Sequence, residues 1–204
     1  MSLRHAILAE LIGSDASGYQ LAKTFDVAVA SFWFATPQQL YAELARLEAA
    51  GLITGVEVVQ QSRPNKRVFS LTDSGRAELR SFVASSSSPT FIRDDLLVKV
   101  RACDIDQSAA LISDLGARAD HAEAKARLIE GLLAALRKDV SEDRFLAESA
   151  QVGPYLTGLR GVAFERENAA WCRRAAMVLT DRLNRGIGAH LGQPGDTVGD
   201  RRQD

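Results

Sequence analysis

The residues best suited to chemistry are polar side chains around one helical segment and a cationic run soon after it. Over residues 36–50, Gln38, Ala42 and Ala45 project away from an apolar stripe at about 100° per residue. Gln39 and Arg46 flank this arc on one side and Tyr41 on the other. Small residues edged by Gln, Arg and Tyr can approach a flat polar surface such as a DNA groove. There Gln pairs with adenine, and Arg with guanine or phosphate. Taken alone, the segment reads equally well as an amphipathic helix with a solvated back. Arg63, Lys66 and Arg67 follow closely and add the charge that phosphates require.

Bond-making chemistry has far less support. There is no paired-carboxylate motif, no phosphate-cradling glycine loop, and no nucleophile set beside a base, so enzymatic activity is not expected. Asp94 and Asp95 at a helix start read as compensation of the helix dipole. His5, His121 and His190 lack metal-ligand spacing, so neither a metal nor a cofactor is expected. Cys103 and Cys172 lie in separate helical patterns and read as free buried thiols, ahead of a disulfide or a redox switch.

With 204 residues, 46% hydrophobic and 25% charged, the chain has the composition of a globular protein with a real core. No apolar run is long enough to span a bilayer and no signal-peptide layout opens the chain, so a cytoplasmic location is the default expectation. The net charge is -1, and residues 1–84 carry eight Lys or Arg against eight Asp or Glu. Any basic footprint must therefore be local, and the run from Arg63 to Arg67 is where it falls.

The elements that must hold these residues are legible around them. Thr36, Pro37 and Gln39 make a capping box with proline in the first turn. Leu40, Leu44 and Leu47 face a core, and Gly51 ends the helix. Before it come a helix with Leu3, Ile7, Leu8 and Leu11, then a short one capped by Ser17 and carrying Tyr19, Leu21, Lys23 and Phe25. Residues 26–35 suit a strand-like link or a packed loop. After Gly51, LITGVEVVQQ alternates at strand period, SRPN turns, and KRVFSL forms a second strand. A helix capped by Thr72 follows. Three helices, a basic hairpin and a further helix form the winged helix-turn-helix order, in which the third helix enters the major groove.

Residues 3–83 resemble the N-terminal domain of the PadR family of transcriptional regulators. The resemblance rests on SGYQLAK, FW, TPQQLYAELARLEAAGLI and RPNKRVFSLTDSG, with Phe69 where the family usually has Tyr. It implies a cytoplasmic, dimeric repressor released from double-stranded DNA by a small molecule or another signal. On the winged-helix reading Gln38, Gln39 and Tyr41 meet base edges or phosphates, Thr36 lies near the backbone, and Tyr19 and Lys23 touch phosphates. Arg46 borders that surface, and Arg63, Lys66 and Arg67 supply the wing. Tyr41 could instead pack on the hairpin, and Tyr19 could brace the second helix against the third.

The fold class expected is mainly α: a winged helix-turn-helix domain at 1–84 with a two-stranded wing, and an all-α domain with two long helices at 91–191. A serine-rich linker at 85–90 and a polar, disordered tail at 192–204 complete the division. The first long helix, from Asp106 to about Val140, carries Leu115, Ala119, Ala122, Ala126, Ile129, Leu133, Leu136 and Val140 as a heptad seam. Gly153 and Pro154 interrupt the pattern before a last helix over 159–191, with a stripe from Cys172 to Leu191. A second copy of the chain is the economical partner for these stripes, through a closed twofold homodimer that reads an inverted-repeat operator. The length resembles the longer PadR subclass. Trp33, Phe34, Phe91, Phe164 and Trp171 could line an effector pocket or serve as core and interface. The rival readings are a dimeric protein-binding adaptor and a sensor without DNA function.

Overall fold

The computed structural model describes residues 3–26, 33, 35–59, 65–87, 93–105 and 108–187. In chain order these hold α1 (Leu3–Glu10), β1 (Ala16–Ser17), α2 (Gly18–Thr24), α3 (Pro37–Ala49), β2 (Ile53–Val58), β3 (Lys66–Leu71) and α4 (Asp73–Ala84). There follow α5 (Asp95–Arg101), α6 (Ala109–Arg137), α7 (Glu142–Glu148) and α8 (Gly153–Asn184). By contacts they divide into two compact units, residues 1–90 with 125–164 and residues 91–124 with 165–204.

Local chemistry explains the winged part. Ser17 and Thr36 each close a full capping box, with Gln20 and Gln39 returning the bond. Gly51 takes φ 69°, the left-handed turn that lets the chain leave α3 for β2. Thr72 caps α4 by accepting from the Gly75 backbone N–H at 3.0 Å, while its hydroxyl lies 2.8 Å from the Gly51 carbonyl. Gly75 is required there, because a Cβ would strike the Leu52 carbonyl oxygen. Ile7, Leu8, Leu21, Leu40, Leu44 and Phe69 form the core under these elements. Phe69, which replaces the family's tyrosine, is thus a buried core residue and leaves no hydroxyl to satisfy. His5 of α1 stacks on Phe82 of α4 at 4.0 Å.

The sheet has three strands, ordered β1-β3-β2, rather than the hairpin alone. Ala16 pairs with Phe69 and Ser17 with Val68, so the residues leading into α2 add a short strand. Val59 lies beyond the end of β2, which is shorter than expected.

The helical half corrects two expectations. Gly153 and Pro154 begin α8 instead of interrupting it, because proline fits a first turn, where no donor is lost. The seam is already filled by the chain itself: Leu115 and Ala119 pack with Cys172 and Leu179, and Ile129 and Leu133 with Tyr155 and Val162. Leu136 and Val140, at its far end, are exposed. Asp94 caps α5, accepting from the Leu96 N–H at 3.0 Å and from Arg118 at 2.9 Å. The Arg118 guanidinium holds its carboxyl below the usual carboxylate range. Burial pushes the Cys172 thiol up, and both cysteines are free. The tail expected at 192–204 lies outside the described residues, as do positions 88–90 of the expected linker.

Candidate nucleic-acid interface

The outward face of α3 follows from its buried one. Leu40, Leu44 and Leu47 are sealed in the core, so Gln38, Ala42 and Ala45 stand in solvent on the opposite side. The two flanks meet different neighbours. On one, Tyr41 rests its ring on Gly18 at the start of α2 while remaining 50% exposed. On the other, Gln39 and Arg46 border a hollow of about 480 Å³ that also includes Leu3, Trp33, Ala35 and Glu43.

Not all of these polar groups are equally available. The Gln39 Oε1 accepts from the Thr36 backbone N–H at 3.0 Å, so its amide completes the cap. Arg46 donates to Glu43 at 3.0 Å on the same helix. Gln38 has no such partner among the described residues and is exposed. Tyr19 is 74% exposed, so most of its side chain is turned to solvent. Lys23, in the last turn of α2, is also exposed.

The wing is tied to α3 by a residue that sequence reasoning missed. Glu48 Oε1 accepts from the Gly55 backbone N–H of β2 at 2.9 Å and from Arg67 Nη2 of β3 at 2.6 Å. The Arg67 hydrogen bond is the main cause holding the Glu48 carboxyl below its ordinary range. Gly55 makes this possible, since a Cβ there would collide with Arg67 Nε and lie 2.7 Å from Glu48 Oε1. A signal existed: a glutamate in the last turn of a helix opposes the dipole and implies a cation elsewhere. Lys66, the next cation along, is exposed and pairs across the ladder with Val58. Arg63 lies outside the described residues.

Three of the five aromatic candidates lie among the described residues. Trp33 packs on the core of the winged part in the first unit. Phe164, also in that unit, carries the Arg160 guanidinium 5.3 Å from its ring centroid. Trp171 packs on the Leu115–Cys172 cluster of the second unit. Phe34 and Phe91 lie outside the described residues. Among the described residues no group of three or more His, Cys, Asp or Glu could hold a metal, and no helix is long and apolar enough to cross a membrane.

Comparison with known proteins assigns the chain. Residues 7–81 match the transcriptional regulator PadR-like family, and residues 92–180 match the virulence activator alpha C-terminal family. The chain is 31% identical over 194 residues to the probable transcriptional regulator Rv1176c of Mycobacterium tuberculosis, covering 89% of this chain and 100% of that one. It is 26% identical to the negative transcriptional regulator PadR of Bacillus subtilis, covering 83% of this chain and 92% of that one. The crystal structure of Bacillus subtilis PadR in complex with operator DNA superposes with a TM-score of 0.69 at 26% identity, over 85% of this chain and 97% of that one. An outward-facing capped helix, a wing and these relationships together make the chain a member of the PadR-like family of transcriptional regulators, in the form with a C-terminal helical domain, and not an enzyme.

Proposed function

We propose that the chain is a dimeric, DNA-binding repressor that an effector releases from an inverted-repeat operator. In this scheme residues 1–84 read DNA, 85–90 link, and 91–191 dimerise through their helices. The observation that carries it is the outward face of α3, where Gln38, Ala42 and Ala45 stand exposed beside the half-exposed Tyr41. Small side chains let the helix backbone come close to base edges, and Gln38 keeps its amide free to read adenine. Thr36, Gln39 and Arg46 lie along the same helix, Tyr19 and Lys23 reach phosphates from α2, and the wing, whose cations are Arg63, Lys66 and Arg67, approaches the flanking backbone. Two copies spaced about one helical turn apart, near 34 Å, would read the two half-sites.

Repression is supported by the negative regulator among the relatives. Release requires an effector with different affinity for two states of the dimer. Trp33, with Phe34, Phe91, Phe164 and Trp171, is the aromatic set offered for it.

The test is an electrophoretic shift of the DNA upstream of the protein's own coding region, titrated with salt and with unrelated competitor. Retention that survives competitor and falls steeply with salt supports the reading. Absence of salt-dependent retention on that and on enriched random duplexes favours the protein-binding adaptor.

A further inference from the structure

A single carboxylate oxygen tethers both strands of the wing to the reading helix. Glu48 Oε1 takes the Gly55 N–H from β2 and the Arg67 guanidinium from β3. The two positions are staggered in the ladder, where Gly55 faces Phe69 and Arg67 faces Glu57. Ile53 and Phe69 seat the base of the hairpin in the core, and two bonds to separate strands add a restraint on its angle to α3. The pair is part-exposed, with 53% of the Arg67 side chain and 30% of the Glu48 side chain accessible, so its weight in overall stability is small. Its leverage is orientational.

This has a consequence for charge. Arg67 lies on the wing and is an obvious phosphate ligand by composition, yet its Nη2 is committed to the protein's own carboxylate. Lys66 and Arg67 are neighbours on β3, so their side chains project to opposite faces. Lys66 is exposed and forms no ion pair among the described residues. We propose that Glu48 is a positioning residue that sets the wing's angle to α3 through Arg67 and Gly55, so that Arg67 works inward and Lys66 meets the phosphate. The proposal rests on the reading of α3 and the wing as a DNA interface. It assigns specificity to a side chain that never touches DNA.

The test uses the full chain and two probes: a duplex enriched by the wild type from a randomised pool, and a scrambled duplex of the same composition. Anisotropy titrations across salt give the salt slope and the preference between duplexes, and circular dichroism verifies folding. Arg67→Gln is expected to leave the salt slope unchanged, because no phosphate contact is lost, while the preference falls about tenfold. Glu48→Gln is expected to weaken the preference similarly and to steepen the slope by about 0.9, as a freed Arg67 finds a phosphate. Gly55→Ala crowds the clamp without changing charge, and so should lower the preference even if another variant folds poorly.

A slope that flattens by about 0.9 in Arg67→Gln, with the preference intact, would make Arg67 an ordinary phosphate ligand and overturn the proposal. An unchanged preference in both Glu48→Gln and Gly55→Ala overturns it too. Failure of the wild type to enrich any duplex removes the DNA reading itself, an outcome separable from either.

Discussion

Tyr41 lies over Gly18, its ring edge occupying the space that a Cβ on Gly18 would need. The contact joins the start of α2 to the first turns of α3, so the tyrosine is anchored on one side and open on the other. Gly18→Ala should force the ring aside and cost about 1–3 kcal/mol, visible as a lower thermal midpoint. Tyr41→Phe keeps the packing and removes only the hydroxyl. Its thermal midpoint should match the wild type while its DNA affinity drops. A full-affinity Tyr41→Phe variant would assign the residue to packing alone.

Adjacent glutamines on α3 should respond differently to substitution. Gln39 closes the capping box with Thr36, through bonds of 3.0 and 3.2 Å. Gln39→Ala, like Thr36→Ala, should destabilise the fold by about 1 kcal/mol. Gln38 is exposed and outside the box, so Gln38→Ala should leave stability within about 0.5 kcal/mol. Its effect should fall on base discrimination instead, at about 1–3 kcal/mol if the amide reads adenine. Denaturant melts and competition binding on the two variants separate these outcomes.

What the sequence revealed is what local chemistry encodes. Thr36 with Gln39, the leucine stripe of α3 and the strand segment KRVFSL all act within a few residues, and their elements appear where expected. Contacts across longer separations were hidden. The Glu48–Arg67 pair spans 19 positions and depends on a missing side chain at Gly55, which periodicity cannot register. β1 is only two residues long, and its identity as a strand comes from β3 beside it. Leu115 to Leu133 carried a sound heptad pattern, but a heptad does not say whose helix fills it.

Glu10 ends α1, where a carboxylate faces the negative end of the helix dipole. It has no ion pair or hydrogen bond among the described residues, and burial pushes its carboxyl above the ordinary glutamate value. An acid whose folded value is raised favours protonation on folding. Its charged form therefore costs stability above the folded value, and the cost disappears below the unfolded one. Glu10→Gln should raise the thermal midpoint at neutral pH, and this gain should shrink as the pH falls towards the unfolded glutamate value. A gain independent of pH would place the effect elsewhere.

The dimer face, in our reading, is a second stripe on α6. Leu128, Leu132 and Leu136 recur four residues apart and are 51%, 40% and 49% exposed, while neighbouring Ile129 and Leu133 are sealed within the chain. Three leucines in a row on one helix make a contiguous apolar strip, and a second copy brought up by a twofold axis would cover it with its own. Leu132→Arg places a charge in the middle of that strip. It should convert the dimer to a monomer in sedimentation velocity, with helical content unchanged, because the side chain is not part of the chain's own core. Leu115→Ala is the contrast: this residue is fully buried, so its loss should cost about 2–5 kcal/mol of fold stability. DNA binding by Leu132→Arg should weaken as well, since one subunit can hold only one half-site. If that variant sediments like the wild type, the subunits meet through another face, and the exposed leucines of α6 must be explained without a twofold partner.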